Sequence, residues 1–106
     1  MRPISLTVTG VNSSSVAPMN IHTAPFNVGF GVTLSGTLTF TVQHTFDDVF
    51  SPTFNPATAN WFPHSVVANA TAAADGNYAF PVAAIRIIGV SGSGTATIRL
   101  IQAGIQ

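Results

Sequence analysis

Three histidines and a pair of adjacent aspartates supply the residue types that metal binding and acid–base chemistry require. His44 lies just before Asp47 and Asp48, whereas His22 and His64 lie far from it along the chain. Zinc sites commonly use two histidines of one element at a spacing such as His-x-x-x-His, and the chain has no such pair. Two adjacent aspartates supply fewer oxygen ligands than calcium needs. We therefore predict no metal site and no other cofactor.

The same residues have structural explanations. His44 has the inward-facing parity of a strand, so we expect a core or rim histidine with one ring nitrogen bonded to the backbone. Asp47 and Asp48 directly follow that strand, where carboxylates commonly accept backbone N–H bonds in a turn. The sequence assigns no role to His22 or His64.

Serine chemistry and phosphate binding also lack their motifs. No serine lies in a Gly-x-Ser-x-Gly elbow, and Ser91 and Ser93 fall in a glycine-rich turn. The Gly-x-Gly pairs that begin at Gly29 and Gly92 are not followed by a helical pattern, so they do not indicate a phosphate-binding loop. We therefore predict that the protein is not an enzyme.

The element that must position these residues runs from Phe26 to Phe46. Apolar residues occupy its even positions, and polar residues or glycine occupy its odd positions. This period of two predicts strands with one buried face. Fully extended, the run would measure ~70 Å, whereas a domain of this size has a radius of gyration of roughly 13 Å. We therefore predict two or more antiparallel strands, with a bend at Gly29, Gly31 or Ser35–Gly36.

Shorter patterns predict the remaining strands. A first strand runs from Ile4 and ends at Gly10. A polar loop at Asn12–Ser15 follows, and then a weak strand or extended link at Val16–Thr23. The last predicted strands are Val66–Ala74, then Tyr78–Val90, then Thr95–Gln102. Apolar residues at both parities of Tyr78–Val90 indicate either that both faces are covered or that a bulge at Pro81 shifts the register. Asp75-Gly76 and Ser91–Gly94 are predicted hairpin turns, the second joining the last two strands. The prediction is one all-β domain over residues 1–106, an antiparallel sandwich or jelly-roll-like barrel of six to eight strands.

Charge separates the possible classes of partner. Of the 106 residues, 46% are hydrophobic but only 6% are charged, against roughly 25% in an ordinary domain. The formal net charge is zero, and there is no cysteine. Nucleic-acid and anionic-membrane binding normally show a cationic footprint, so we predict neither. A nearly uncharged exterior favours association between copies, because little repulsion keeps them apart.

The segment from Phe50 to His64 is apolar without a regular pattern. Prolines at three positions exclude a central strand or a helix interior. The segment either folds back as a cap on one open end of the barrel or presents an aromatic patch to a partner, and both are compatible. The candidate interface residues are Phe50, Phe54, Trp61, Phe62 and Pro63.

Several segments resemble small structural proteins of tailed bacteriophages. They are T-V-Q-H-T-F-D-D-V-F (residues 41–50), T-A-N-W-F-P-H (58–64), A-D-G-N-Y-A-F-P-V-A-A-I-R (74–86) and G-S-G-T-A-T-I-R-L-I-Q-A-G (92–104). The resemblance implies a virion component, and within that class a head decoration (cement) protein with a jelly-roll-like fold. Such proteins typically sit as trimers on the outer capsid surface and stabilise the head by binding the major capsid protein. It transfers no individual functional residue.

Other functions remain open at this point. A tail component, a head–tail connector subunit or a small receptor-binding knob would share the composition. In a carbohydrate-binding module, Trp61, Phe62 and Tyr78 would stack on sugars.

Overall fold

The computed structural model describes residues 4–19 and 26–102, and these residues form eight β-strands and no helix. The strands are β1 (Ile4–Thr9), β2 (Ala17–Pro18), β3 (Val28–Ser35), β4 (Leu38–Thr45), β5 (Trp61–Pro63), β6 (Ala74–Tyr78), β7 (Ala84–Gly92) and β8 (Thr95–Gln102). This confirms the all-β prediction. His22 lies outside the described residues, as do all of residues 20–23. The described part of Val16–Thr23, the predicted weak strand or extended link, contains β2.

The described strands form two antiparallel sheets of four. Sheet I has the order β1-β8-β3-β6, and sheet II has the order β2-β7-β4-β5. β1 pairs with β8, β2 with β7, β3 with β6 and β4 with β5. This is the strand order of an eight-stranded jelly roll, the architecture that the sequence predicted. With the exception of β4 and β5, consecutive strands lie in opposite sheets.

The long alternating run supplies one strand to each sheet. It bends at Ser35–Gly36, where Gly36 has a φ of +81°, a value that glycine adopts without strain. Its inward residues on both strands are buried, except Leu34, which is partly buried, and they meet the apolar face of β8 in one core. The predicted bend and the shared buried face are therefore confirmed. The fully buried members of this core include Val28, Phe40, Val42, Ile98 and Leu100.

Glycine-rich loops connect the two sheets at one end of the sandwich, which we call the glycine end and which contains Gly10, Gly36, Gly92 and Gly94. The carbonyl oxygen of Thr37 accepts hydrogen bonds from Ser93 N at 3.1 Å and Gly94 N at 2.8 Å. Gly10 N donates to Gly94 O at 3.0 Å. A Cβ added at Gly89 would lie 1.9 Å from the Gly10 carbonyl oxygen, so this close approach requires glycine.

Both predicted hairpin turns are wrong. Ser91–Gly94 joins β7 to β8, which lie in opposite sheets, because β7 pairs with β4 and β8 pairs with β3. Asp75-Gly76 lies inside β6, which pairs with β3. Glycine is needed there for a different reason, since a Cβ on Gly76 would lie 2.9 Å from the Phe30 ring.

Two predicted strands also differ from the structure. Val66–Ala74 is irregular up to Ala74, where β6 begins, and within it a single bridge joins Ala70 to Phe40. Tyr78–Val90 is divided between β6 and β7 by a loop around Pro81, because proline cannot donate a ladder hydrogen bond. The register shift lies not at Pro81 but at the other end of β7, opposite Thr39 and Phe40 of β4.

Candidate interaction surface at the aromatic end

The end of the sandwich opposite the glycine end is lined with aromatic rings. Phe46, Phe62 and Phe80 are 57%, 47% and 49% exposed, and they pack around His44, which is 6% exposed. Tyr78 lies beneath them and is fully buried. We call these five residues the aromatic end. Large apolar side chains grouped in this way on a surface mark interaction sites more often than scattered ones do.

Strand geometry explains why these rings meet. His44 is the last inward-facing residue of β4, and Phe46 keeps its parity one step beyond the strand. Phe62 lies directly opposite His44 in the pairing of β5 with β4. Tyr78 ends β6 in the facing sheet, and Phe80 follows it by two residues. The apolar alternation thus continues past the point where the two sheets cover each other, so the last rings stay partly exposed.

The rings form one continuous patch centred on the His44 imidazole. The centroid distances from His44 are 4.8 Å to Tyr78, 5.4 Å to Phe46 and 5.6 Å to Phe80. Phe62 stacks on His44 at 6.0 Å and lies 5.8 Å from Phe46. Edge-to-face and offset pairs at such distances each contribute about 0.5–1.5 kcal/mol beyond area burial. The patch is therefore held in shape before any partner arrives.

A buried hydrogen bond supports the patch from below. His44 Nδ1 and Tyr78 Oη are 2.9 Å apart. Burial raises the pKa of Tyr78, so the phenol keeps its proton. Burial, and secondarily the proximity of His64, lowers the pKa of His44 below its ordinary value, so the imidazole is held neutral. The prediction of an inward core or rim histidine is confirmed, but its ring partner is a tyrosine hydroxyl and not the backbone.

His64 has a structural role beside this cluster. Its Nδ1 accepts hydrogen bonds from Val66 N and Val67 N, both at 3.1 Å. Its Nε2 is therefore the protonated nitrogen and donates to Asn77 O at 3.0 Å. These bonds fasten the segment after β5 to the edge of β6. The ring also packs edge-on against Tyr78, with centroids 4.9 Å apart.

The predicted interface residues do not form one surface. Phe62 belongs to the aromatic end, whereas Trp61, its neighbour in β5, faces the outer side of sheet II. Phe50 is 76% exposed, Pro63 is exposed and Phe54 is half-buried. Sequence reasoning missed Phe46 and Phe80 as surface residues. The available signal for Phe46 was its place just after the strand, where inward parity no longer ensures cover.

A groove connects the aromatic end to the loop that follows β4. It has a volume of about 180 Å³, and Met19, Phe46, Phe50 and Ala83 supply its apolar walls. Phe46 belongs to both the groove and the aromatic end. The exposed apolar surface therefore continues from the aromatic end into this groove, which Phe50 also lines.

Asp47 and Asp48 form the turn that the sequence predicted. Asp48 Oδ1 accepts a hydrogen bond from Phe50 N at 3.0 Å, and Asp47 Oδ2 accepts one from Asn60 N at 2.8 Å. The second bond joins the two ends of the irregular segment. The carboxylates thus give the loop a fixed shape beside the apolar patch.

Trp61 and Arg86 form a separate cluster on the outer side of sheet II. The Arg86 guanidinium carbon lies 4.1 Å from the Trp61 ring centroid, and Arg86 Nε donates to Gln43 Oε1 at 2.9 Å. Trp61 Nε1 donates to Pro56 O at 2.9 Å, which holds the loop down on the sheet. A sugar platform made of Trp61, Phe62 and Tyr78 is not present, because Tyr78 is fully buried and the other two face opposite ways.

Comparisons with known proteins leave the surface as the main guide to function. No family model, curated protein or solved structure shows a significant match to this chain. In residues 4–19 and 26–102, no three histidine or aspartate side chains converge into a group that would hold a metal ion. The same residues contain no helix long and apolar enough to cross a membrane.

Proposed function

We propose that the protein is a structural subunit of a tailed-phage virion, a capsid decoration protein that stabilises the head by binding the major capsid protein. In this proposal the subunits self-associate on the capsid surface and their aromatic ends contact the shell. The observation that carries the proposal is the patch of half-exposed Phe46, Phe62 and Phe80 on a weakly charged jelly roll.

The energy available from this patch suits a repeated contact. A phenylalanine buries about 150–250 Å² when fully covered, so covering the exposed halves of three rings removes roughly 300 Å² from water. At about 25 cal/mol per Å², this is a gross gain of ~7 kcal/mol per subunit. Association entropy consumes much of such a gain. Linked copies on a repeating shell would bind far more tightly than one copy, because each further contact is intramolecular.

The surroundings of the patch also fit a protein interface. Interfaces combine an apolar centre with a polar rim. Here the rim is the turn of Asp47 and Asp48, whose carboxylates are occupied by backbone N–H groups. The jelly roll itself is compatible with viral capsid proteins and with lectins, so fold alone does not choose between them. The resemblance to phage structural proteins favours the first.

A binding experiment with matched variants tests the proposal. Heads of the encoding phage that lack this protein would be mixed with the purified protein and sedimented. We expect the wild type to sediment with the heads and the double variant Phe46→Ser/Phe80→Ser to remain in the supernatant as a folded protein, with a lower unfolding temperature because its ring contacts with His44 and Tyr78 are lost. Ile101→Ser is the control, because Ile101 is 50% exposed but lies on the outer face of sheet I.

The location in the particle separates this proposal from its rivals. Absence of the protein from purified virions would overturn the virion assignment altogether. Density for the jelly roll in the tail or at the head–tail connection would replace decoration with one of those roles. Equal binding of the double variant and the wild type would remove the aromatic end from the contact.

A further inference from the structure

The edge of sheet I formed by β1 has an open side. β1 pairs along its full length with β8, from Ile4 opposite Leu100 to Thr9 opposite Thr95. No strand among residues 4–19 and 26–102 pairs with its other side. An edge strand of this kind presents a row of backbone N–H and C=O groups that can pair with another chain.

The other edges of the described sheets are short, interrupted or covered. β2 has two residues and ends in Pro18, and β5 has three residues and ends in Pro63. β6 contains the charged Asp75, and its Asn77 carbonyl oxygen is bonded to His64 Nε2. Short length, proline, charge and side-chain cover are the usual means by which proteins prevent edge pairing.

β1 has none of these features. Its six residues contain no proline, no charge and no register shift. Its inward residues Leu6 and Val8 are 6% and 3% exposed, so the strand is held firmly although it lies at an edge. Ser5, Thr7 and Thr9 face outward and are exposed. The contrast with the other edges indicates that this edge is kept available.

We propose that β1 pairs antiparallel with β1 of a second copy of this chain, about a twofold axis, to make one continuous eight-stranded sheet. The register places Thr7 opposite Thr7, which sets Leu6 against Val8 and Ser5 against Thr9, so that aliphatic residues face aliphatic residues and hydroxyls face hydroxyls. The pairing of β1 with β8 already has this chemistry, with hydroxyl bonds of 3.2 Å from Thr7 to Thr97 and 3.1 Å from Thr9 to Thr95.

Charge favours a second copy as the occupant. The strand carries no charged side chain and the chain has zero formal net charge, so two copies meet without electrostatic repulsion. The β6 edge of a second copy is a poorer partner, because Asp75 and the His64 bond obstruct it. Twofold pairing gives dimers or larger even-numbered assemblies, which replaces the trimer that the phage resemblance implies. The inference uses the proposed function only in that both require self-association.

Matched lysine variants test the edge. Thr7→Lys and Thr97→Lys remove the same hydroxyl bond and add the same charge to the same face, but only Thr7 is on the edge strand. The molar mass would be measured by light scattering and sedimentation over a concentration series. We expect dimers for the wild type and Thr97→Lys, and a dissociation constant raised at least about tenfold for Thr7→Lys, because facing lysines repel each other.

The cysteine-free sequence allows a second test that does not depend on affinity. Single cysteines would be introduced at Ser5, Thr7 and Thr9 on the edge and at Thr97 one strand inward, and the proteins would be oxidised. We expect efficient disulfide-linked dimers from at least one edge position and not from Thr97, because opposed residues of an antiparallel pair lie within disulfide reach.

Three results would overturn the inference: a trimeric or monomeric mass at all concentrations, dimers unaffected by Thr7→Lys, or cross-linking no better at the edge than at Thr97. Failure of the proposed function is separable from these, because head binding is measured independently of mass. The Phe46→Ser/Phe80→Ser variant should still form dimers.

Discussion

The hydrogen bond between His44 and Tyr78 yields the sharpest prediction about how the aromatic end is held. Tyr78→Phe keeps the buried ring but removes the hydroxyl that lies 2.9 Å from His44 Nδ1. A buried polar atom left without its partner costs about 1–3 kcal/mol. For a chain of 106 residues, an entropy of about 2.1 cal/mol/K per residue converts each kcal/mol into a Tm shift of about 4–5 °C. We therefore expect a Tm lower by about 4–14 °C.

Calorimetry and a double-mutant cycle would measure this loss. The two single variants are Tyr78→Phe and His44→Phe, and the double variant replaces both partners with apolar rings. The losses should not add, because removing both partners leaves no unpaired polar atom. Additive losses, or a Tyr78→Phe variant as stable as the wild type, would show that the hydroxyl bond does not support the patch.

Three further predictions concern pH, close packing and the outer cluster. The folded pKa of His44 lies below its ordinary value of 6.5, so the unfolded chain takes up this proton first as the pH falls. The contribution of neutral His44 to the free energy of unfolding is therefore fully present above pH 6.5 and is lost as the pH falls through the folded pKa. Urea unfolding at a series of pH values should show a smaller loss of stability at low pH for His44→Gln than for the wild type. Gly89→Ala should prevent folding or lower the free energy of unfolding by more than about 3 kcal/mol, because its Cβ would meet a backbone oxygen at 1.9 Å. Gly31→Ala is the control in the same denaturation assay: its Cβ would have no atom within 4 Å, so the change should be neutral or stabilising by up to ~1 kcal/mol. Trp61→Ala should lower the free energy of unfolding by about 1–2 kcal/mol, because the half-buried side chain makes one hydrogen bond and one cation–π contact. A loss of about 3–5 kcal/mol, which is typical of a core aromatic residue, would contradict its placement on the outer face.

Local pattern was enough to predict the strands whose two faces differ in environment. Strict alternation predicted β3, β4 and the inward direction of His44, and Ser35–Gly36 was one of the three positions proposed for the bend. The turn at Asp47 and Asp48 also followed from side-chain chemistry within a few residues. These features depend on neighbours in sequence, which is the information that a single chain contains.

Features that depend on distant neighbours were not predictable in this way. A glycine with positive φ, such as Gly92, turns a chain equally well within a sheet or across a sandwich, and the choice depends on the pairing of β7 with β4 and of β8 with β3. The sequence around Gly76 predicts a turn, but glycine is needed at this position because a Cβ would collide with the Phe30 ring. The exposure of Phe46 and Phe80 likewise depends on where the two sheets stop covering each other.

A reconstruction of the intact phage particle would test the proposed role most directly. The proposal predicts jelly-roll density on the outer surface of the head, with Phe46, Phe62 and Phe80 buried against the major capsid protein. Virions without this protein, or a subunit whose aromatic end points into solvent, would contradict it.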